Sequence, residues 1–345
     1  MHATCPKREG IWLRFIPHRT RHSPIAIDLG GHSVKLLQLG PDRCSITAAA
    51  ARPVAPEATL TPSNYLDWLE DVLPGFITDS GATGRRVKVA LPSAWTTAQQ
   101  LQLDAEESAI ASEVAPMHLP PMDEQPMTRV LQVGPAATQE GQGEHTEFIC
   151  LAFPRRHVFR LVELFHRHHY EVLDLQTQFS ASVAPFLHRQ SCPSEQSDSP
   201  TPEATLFVDL GSGGVLASIT NGMNLVQARR IATGERNPDI NEDDRLDMII
   251  DELGMALRHD ASHFPDRRVE RIVFIGGGAH SDHACRQIVE RLHLPGQRGD
   301  PLAALGRPID PDSPLKQDAG PRPGWSAAAG LVSIPMNKEG TRDAA

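Results

Sequence analysis

Two short stretches carry the residue types needed for phosphate and metal chemistry, and they share one pattern. In AIDLGGHSVKLLQLG, Asp28 closes an apolar run and Gly30, Gly31 and Ser33 follow; in FVDLGSGGVLASITNG, Asp209 closes another and Gly211, Ser212 and Gly213 follow. Glycine lets the backbone turn tightly and bring its N–H groups close to phosphate oxygens. An aspartate at a strand end can hold Mg²⁺ through the ion's water shell, because magnesium keeps waters and takes only one or two carboxylates. Two such turns facing each other across a cleft would clamp the phosphates of a nucleotide, with Asp28 and Asp209 as the metal carboxylates. A third element, VFIGGGAHSDHACRQIVERL, sets Gly276, Gly277 and Gly278 between a strand and a helix, where a bare backbone can pass against adenine and ribose. A single aspartate-glycine turn is a common turn cap; the duplication gives this one its weight.

The elements that must position these turns are legible from periodicity. Residues 24–29 and 34–39 read as strands joined by Gly30-Gly31-His32-Ser33, and a third strand covers 44–51. Thr61-Pro62 opens a helix to about residue 73, with Tyr65, Leu66, Leu69, Val72 and Leu73 as its apolar stripe. A strand at 86–91 follows. Residues 93–150 mix a short helix (105–115) with strands near 127–133 and 146–153, and read as an inserted subdomain. An amphipathic helix (154–169), a strand (171–175) and a helix (179–189) complete a first domain over 23–190. SCPSEQSDSPTPEAT, residues 191–205, is a linker without periodicity. The first pattern then returns over 206–318: strands at 206–210, 215–220 and 224–231, a helix near 243–260, a strand at 271–275 and a helix at 280–292. A last helix within 319–335, holding Trp325, returns to the first domain. The expected fold is α/β, with a duplicated βββαβα core.

Composition narrows the class. A formal charge of −10 over 345 residues argues against a nucleic-acid partner. No apolar run reaches the roughly 18 residues that span a bilayer, and no signal-peptide pattern opens the chain. Cys5, Cys44, Cys150, Cys192 and Cys285 are scattered and never form a C-x-x-C pair, as expected of free thiols in a reducing compartment. Residues 1–22 set basic residues around Trp12, Leu13, Phe15 and Ile16, readable either as a frayed tail or as a peripheral contact with anionic lipid. His166, His168 and His169 lack an acidic or cysteine partner at metal-ligand spacing. Ser93 lacks a G-x-S-x-G elbow. The acidic run Glu235, Asp239, Glu242, Asp243, Asp244 and Asp247 reads as a solvated loop and helix start.

The three motifs together resemble the phosphate-1, phosphate-2 and adenosine motifs of the actin, sugar-kinase and heat-shock-chaperone superfamily. Within it the chain is similar to the PilM family of type IV pilus assembly proteins. Lys35 stands in that family's D-x-G-x-x-x-V-K-L run, RVKVALPSAWTTAQQLQL resembles its segment before the inserted subdomain, and LAFPRRHVFRLVELFHRHHYEVLDLQ its next helix and strand. LHLPGQRGDP and GWSAAAGLVSI resemble its late signatures. The resemblance covers about 24–335 and implies an actin-like (ribonuclease H-like) two-domain fold with ATP and Mg²⁺ in the cleft. It implies Lys35 and the turn glycines as nucleotide contacts, and Gln176 as the residue that orients an attacking water, although a polar strand-end residue reads equally well there. A neutral glutamine orients water but is a poor base, so turnover is expected to be slow.

The resemblance also implies a cytoplasmic position at the inner membrane. Its partner would be the N-terminal peptide of a PilN-like membrane protein, docked beside the inserted subdomain as a strand or short helix, with self-association a further expectation. Bound ATP would set the angle between domains. The departures are specific. Gly31, His32 and Gly214 stand where relatives carry hydroxyl residues. Only about ten polar residues follow Arg230-Ile231-Ala232-Thr233-Gly234, where relatives build a lobe over adenosine. That trimming favours a rival reading, a nucleotide-free scaffold like the cytoplasmic domain of type II secretion protein GspL. A small-molecule kinase would need a catalytic aspartate facing a substrate hydroxyl, and none stands out.

Overall fold

The computed structural model describes residues 22–42, 45–122, 124–136, 144–190, 204–232, 241–305, 315 and 321–334. The tail 1–21, nearly all of the linker and the stretch 233–240 therefore lie outside the described residues. The elements are β1 (Ile25–Leu29), β2 (Ser33–Leu39), β3 (Ile46–Pro53), α1 (Pro62–Asp79), β4 (Arg86–Ala90), β5 (Thr97–Leu103), α2 (Ala105–Ala109), α3 (Ala111–Val114), β6 (Met127–Pro135) and β7 (Thr146–Phe153). They continue with α4 (Arg155–Arg167), β8 (Glu171–Gln176), α5 (Gln178–Gln190), β9 (Ala204–Gly211), β10 (Gly214–Asn221), β11 (Asn224–Ile231), α6 (Glu242–His263), β12 (Val269–Ile275), α7 (Asp282–Leu292), β13 (Gly296–Arg298), α8 (Pro301–Ala304) and α9 (Ser326–Ser333).

Two five-stranded sheets repeat one plan. Their orders are β3-β2-β1-β4-β8 and β11-β10-β9-β12-β13. In each, the first strand is central, an antiparallel meander lies to one side, and two parallel strands lie to the other. The central strands are apolar because both faces of a mixed sheet are covered by helices. Ile25, Ile27 and Leu29 point into a core with Leu66, Leu69, Leu73 and Phe165. Leu206, Val208 and Phe274 do the same with Ile250 and Leu253 of α6.

The structure departs from the pattern reading in several places; the expected helix over 105–115 splits into α2 and α3, and three other differences bear on how the halves are built. First, α1 runs on to Asp79, because Pro74 is held inside a helix whose next turn buries Phe76 and Ile77. Second, residues 97–103 form β5, which the glutamine-rich composition hides; it pairs with β7 in a separate sheet ordered β5-β7-β6. Third, β9 takes up Ala204 and Thr205 from the end of the expected linker.

Several contacts tie the halves together, among them a core shared by Val183 and Leu187 of α5 with Phe207, Val273 and Ile275. Helix α9 packs on α5 so closely that a Cβ on Gly330 would lie 1.7 Å from Ala181 O. The buried Lys88 ammonium donates to the carbonyls of Leu331 and Ile334 at its C-terminal end, where a cation suits the helix dipole. The inserted sheet, in turn, leans on the second half: Ile149 and Leu151 of β7 share a core with Phe179 of α5, Leu216 of β10 and Ala228 of β11. Gln100 Nε2 donates to Val226 O at 3.2 Å across the same seam. Among the described residues, no helix is long and apolar enough to cross a membrane. Cys150 and Cys285 are free thiols.

Candidate nucleotide cleft

The duplication puts the two aspartates at equivalent ends of the central strands, but the registers give them different neighbours. Asp28 faces Lys35 across β1 and β2, whereas Asp209 faces Leu216 across β9 and β10. Lys35 Nζ stands 3.7 Å from Asp28 Oδ2, and Gln178 Nε2 donates to Asp28 Oδ1 at 3.0 Å. Burial pushes the Asp28 carboxyl above its usual range, opposed by Lys35 and then Gln178. Asp209 accepts a hydrogen bond from Ser182 Oγ at 3.0 Å. Burial, only partly offset by that bond, pushes its carboxyl up to about 6, with Asp28 adding to the rise.

Both aspartates line one cavity of about 460 Å³ between the two halves. The same cavity is lined by Gly30, Gly31, Ser33, Lys35, Gly211, Ser212, Gly213, Gly276, Gly277 and Gly278, so the structure brings these positions together. Gln176 is not among the lining residues. It ends β8 with its amide donating to Asp174 Oδ2 at 2.8 Å. The chain then passes Thr177, whose hydroxyl accepts from Ser180 N at 3.1 Å and starts α5, so Gln178 is the glutamine that reaches Asp28. Nothing in the sequence singled out Gln178, since which amide turns toward Asp28 depends on where the helix begins.

The turns are pinned from behind. Tyr65 donates its hydroxyl hydrogen to Gly30 O at 3.0 Å, and Arg230 Nη2 donates to Gly213 O at 2.7 Å. A Cβ on Gly31 would lie 3.4 Å from Ser212 Oγ, so the missing hydroxyl side chain in the first turn leaves room for the second. Gly214 has φ +123°, and a Cβ there would sit 2.8 Å from Ile231 O, which excludes the hydroxyl side chain that the sequence resemblance implies at this position.

The glycine triplet divides its labour. A Cβ on Gly276 would fall 2.1 Å from Asp209 Oδ1, and one on Gly278 would fall 2.9 Å from Leu210 O; both seat the second hairpin. At Gly277 a Cβ would meet nothing within 4 Å, leaving it as the open face of the triplet. Pro323 and Gly324 also line the cavity, a contribution the sequence did not reveal. Gly276 N donates to Pro323 O at 2.9 Å, linking the triplet to the segment that leads into α9.

The donor set fits a hydrated magnesium ion and a polyphosphate: two carboxylates of matched position, one lysine, and two glycine turns on opposing walls. The connection from β11 to α6 spans only 232–241, so the expected absence of a lobe there falls largely outside the described residues. Among the described residues, no cluster of three or more His, Cys, Asp or Glu could hold a metal.

Sheet duplication, strand order and a glycine-lined interdomain cleft define the actin-like two-domain fold. No protein-family model and no curated protein matches the sequence. Among solved structures, a chain of the "PilM-PilN type IV pilus biogenesis complex" matches with a TM-score of 0.71 at 16% identity, over 91% of this chain and 99% of that one. A Bacteroides thetaiotaomicron protein described as having an actin-like ATPase fold and unknown function matches at TM-score 0.49 and 10% identity, over 83% and 96%. The ethanolamine utilization protein EutJ of Carboxydothermus hydrogenoformans matches at 0.47 and 9%, over 91% and 90%.

Proposed function

We propose that this chain is a PilM-like assembly factor that works on the cytoplasmic side of an inner membrane and binds Mg-ATP in the cleft. The observation that carries this reading is the fold shared with a chain of the PilM-PilN complex over nearly its whole length, joined to a cleft whose carboxylates, lysine and turns suit a magnesium-bound phosphate chain.

Asp28 and Asp209 would hold the ion through its waters, and Lys35 would share the phosphate charge. Gly30, Gly31, Ser33, Gly211, Ser212 and Gly213 would cradle the phosphates, and Gly276, Gly277 and Gly278 would flank the purine. Bound ATP would supply a phosphoanhydride whose charge the metal screens. In this reading Gln178, whose amide reaches Asp28, would position a water in place of Gln176. The seam of Ile149, Leu151, Leu216 and Ala228 opposes a wide rotation between the halves. Nucleotide would therefore act on this chain as a clamp more than as a lever.

The partner in this reading is the N-terminal peptide of a PilN-like membrane protein. Strand β6 is an edge of the inserted sheet and starts at the exposed Met127, and α4, which follows its neighbour β7, exposes Phe159. An edge strand beside apolar side chains suits a peptide added as a further strand. Fluorescence anisotropy with that labelled peptide should show saturable binding by the parent and at least tenfold weaker binding by Met127→Asp. No binding to the parent would refute the partner assignment.

The scaffold reading, without nucleotide, is favoured by the short connection between β11 and α6. A Mg-ATP titration separates the two, since the scaffold alone predicts no saturable signal.

A further inference from the structure

Behind the two turns lies a second cavity of about 290 Å³. Its walls include Leu60, Tyr65 and Trp95, with Tyr65 and Trp95 buried and set edge to face at 6.0 Å and 77°. Among the described residues, Arg230 is the only charged one that lines it. One arm of that guanidinium donates to Gly213 O, but Nε is buried without an acceptor, and among the described residues no carboxylate pairs with it. Arg230 is half-buried, and a guanidinium held partly out of water without a counter-charge is costly, so native proteins usually meet such groups with an anion. Ser93 and Ser212 line the same space, and among the described residues no side-chain hydrogen bond occupies their hydroxyls. The N-terminus of α1 adds wall rather than charge. Pro62 has no N–H, and Thr61 Oγ1 already takes the N–H of Asn64 at 3.1 Å.

We infer that this cavity is a binding site for a small organic oxyanion. Its carboxylate or phosphate group sits on Arg230, Ser93 and Ser212, and its apolar body lies against Trp95, Tyr65 and Leu60. The aromatic walls select for a ring or short alkyl body, and the lone arginine selects for negative charge. Gly31, Ser93, Ser212 and Gly213 line both cavities, but Arg230, Trp95, Tyr65 and Leu60 line this one and not the larger cleft, so the site does not depend on the cleft taking a nucleotide.

Ligand-observed NMR and calorimetry on the full chain test this with phenyl phosphate, benzoate and uncharged benzyl alcohol. At least one of the two anions binds, and benzyl alcohol binds at least tenfold more weakly. Phenyl phosphate ahead of benzoate assigns a phosphate ligand, and the reverse order a carboxylate. Arg230→Gln weakens anion binding at least tenfold. Leu60→Asp, which puts a negative charge on a side chain 67% exposed at the rim, does the same without touching a buried contact. Anion binding that survives Leu60→Asp, equal binding of benzyl alcohol, or no binding of either anion overturns the site. The last result would mean that Arg230 is neutralised by the chain itself.

Discussion

Gly276 and Gly277 are neighbours with opposite roles, and replacing each by alanine separates packing from ligand space. Gly276 has φ 81° and ψ 170°, a backbone region open essentially to glycine alone. Holding an L-residue there costs on the order of 1–3 kcal/mol. The new methyl would also lie 2.1 Å from Asp209 Oδ1 and 2.8 Å from Leu210 O, so the second hairpin must shift. Overpacking of this kind costs roughly 1–3 kcal/mol more. Gly276→Ala should therefore lose about 2–6 kcal/mol of stability. Gly277→Ala meets nothing within 4 Å and should stay within about 0.5 kcal/mol of the parent. Chemical denaturation of both variants is the assay, with Mg-ATP titration alongside. Gly277→Ala should weaken nucleotide binding while folding normally, because its methyl enters the cleft. In an Asp209→Ala background the Gly276→Ala penalty should shrink toward the backbone cost, since the nearest obstacle is gone. Equal stability of Gly276→Ala and Gly277→Ala would refute the assignment.

Asp209 predicts a pH dependence. Its folded carboxyl titrates near 6, above the ordinary value of 3.8, so the stabilisation is full below about 4 and is lost as pH rises through about 6. Asp209→Asn should be more stable than the parent at pH 7, by on the order of 1–3 kcal/mol, and the difference should vanish near pH 4. Denaturation curves across that range test it, and a pH-independent gap would contradict it. Mg²⁺-dependent nucleotide binding should strengthen over the same rise in pH, because the ion needs the carboxylate form.

Lys88→Met leaves the carbonyls of Leu331 and Ile334 without their cation and should cost about 2–3 kcal/mol. Faster hydrogen exchange across α9 should accompany it, and unchanged protection would count against the contact. ATP affinity should be in the high micromolar range or weaker. Leaving ~80 Å² of purine uncovered costs about 2 kcal/mol at ~25 cal/mol per Å², more than tenfold in Kd. Low-micromolar binding by the isolated chain would overturn that expectation.

The amino-acid sequence determined the duplication, the two aspartate-glycine turns and the placement of the glycine triplet. Each depends on local chemistry: apolar runs make the central strands, and glycine is required wherever backbone crowds backbone. Asp28 and Asp209 were legible for that reason. Their inequality was not, because it follows from register, which sets Lys35 opposite one and Leu216 opposite the other. That Gln178 rather than Gln176 reaches Asp28 was not legible either, because a helix start, not a motif, decides which amide turns toward that carboxylate. Strand β5 was invisible because its glutamines find partners through tertiary contacts, Gln100 on Val226 of β11 and Gln102 on Glu147 of β7, which residues 97–103 do not encode alone. Gly324 joins the larger cleft and Arg230 the second cavity only through long-range folding: one arrives with the segment leading into α9, the other from the end of β11. Local sequence settles which residues can turn tightly or carry charge. Only the packing of distant elements settles which of them share a cavity, since no periodicity records contacts made across a cleft.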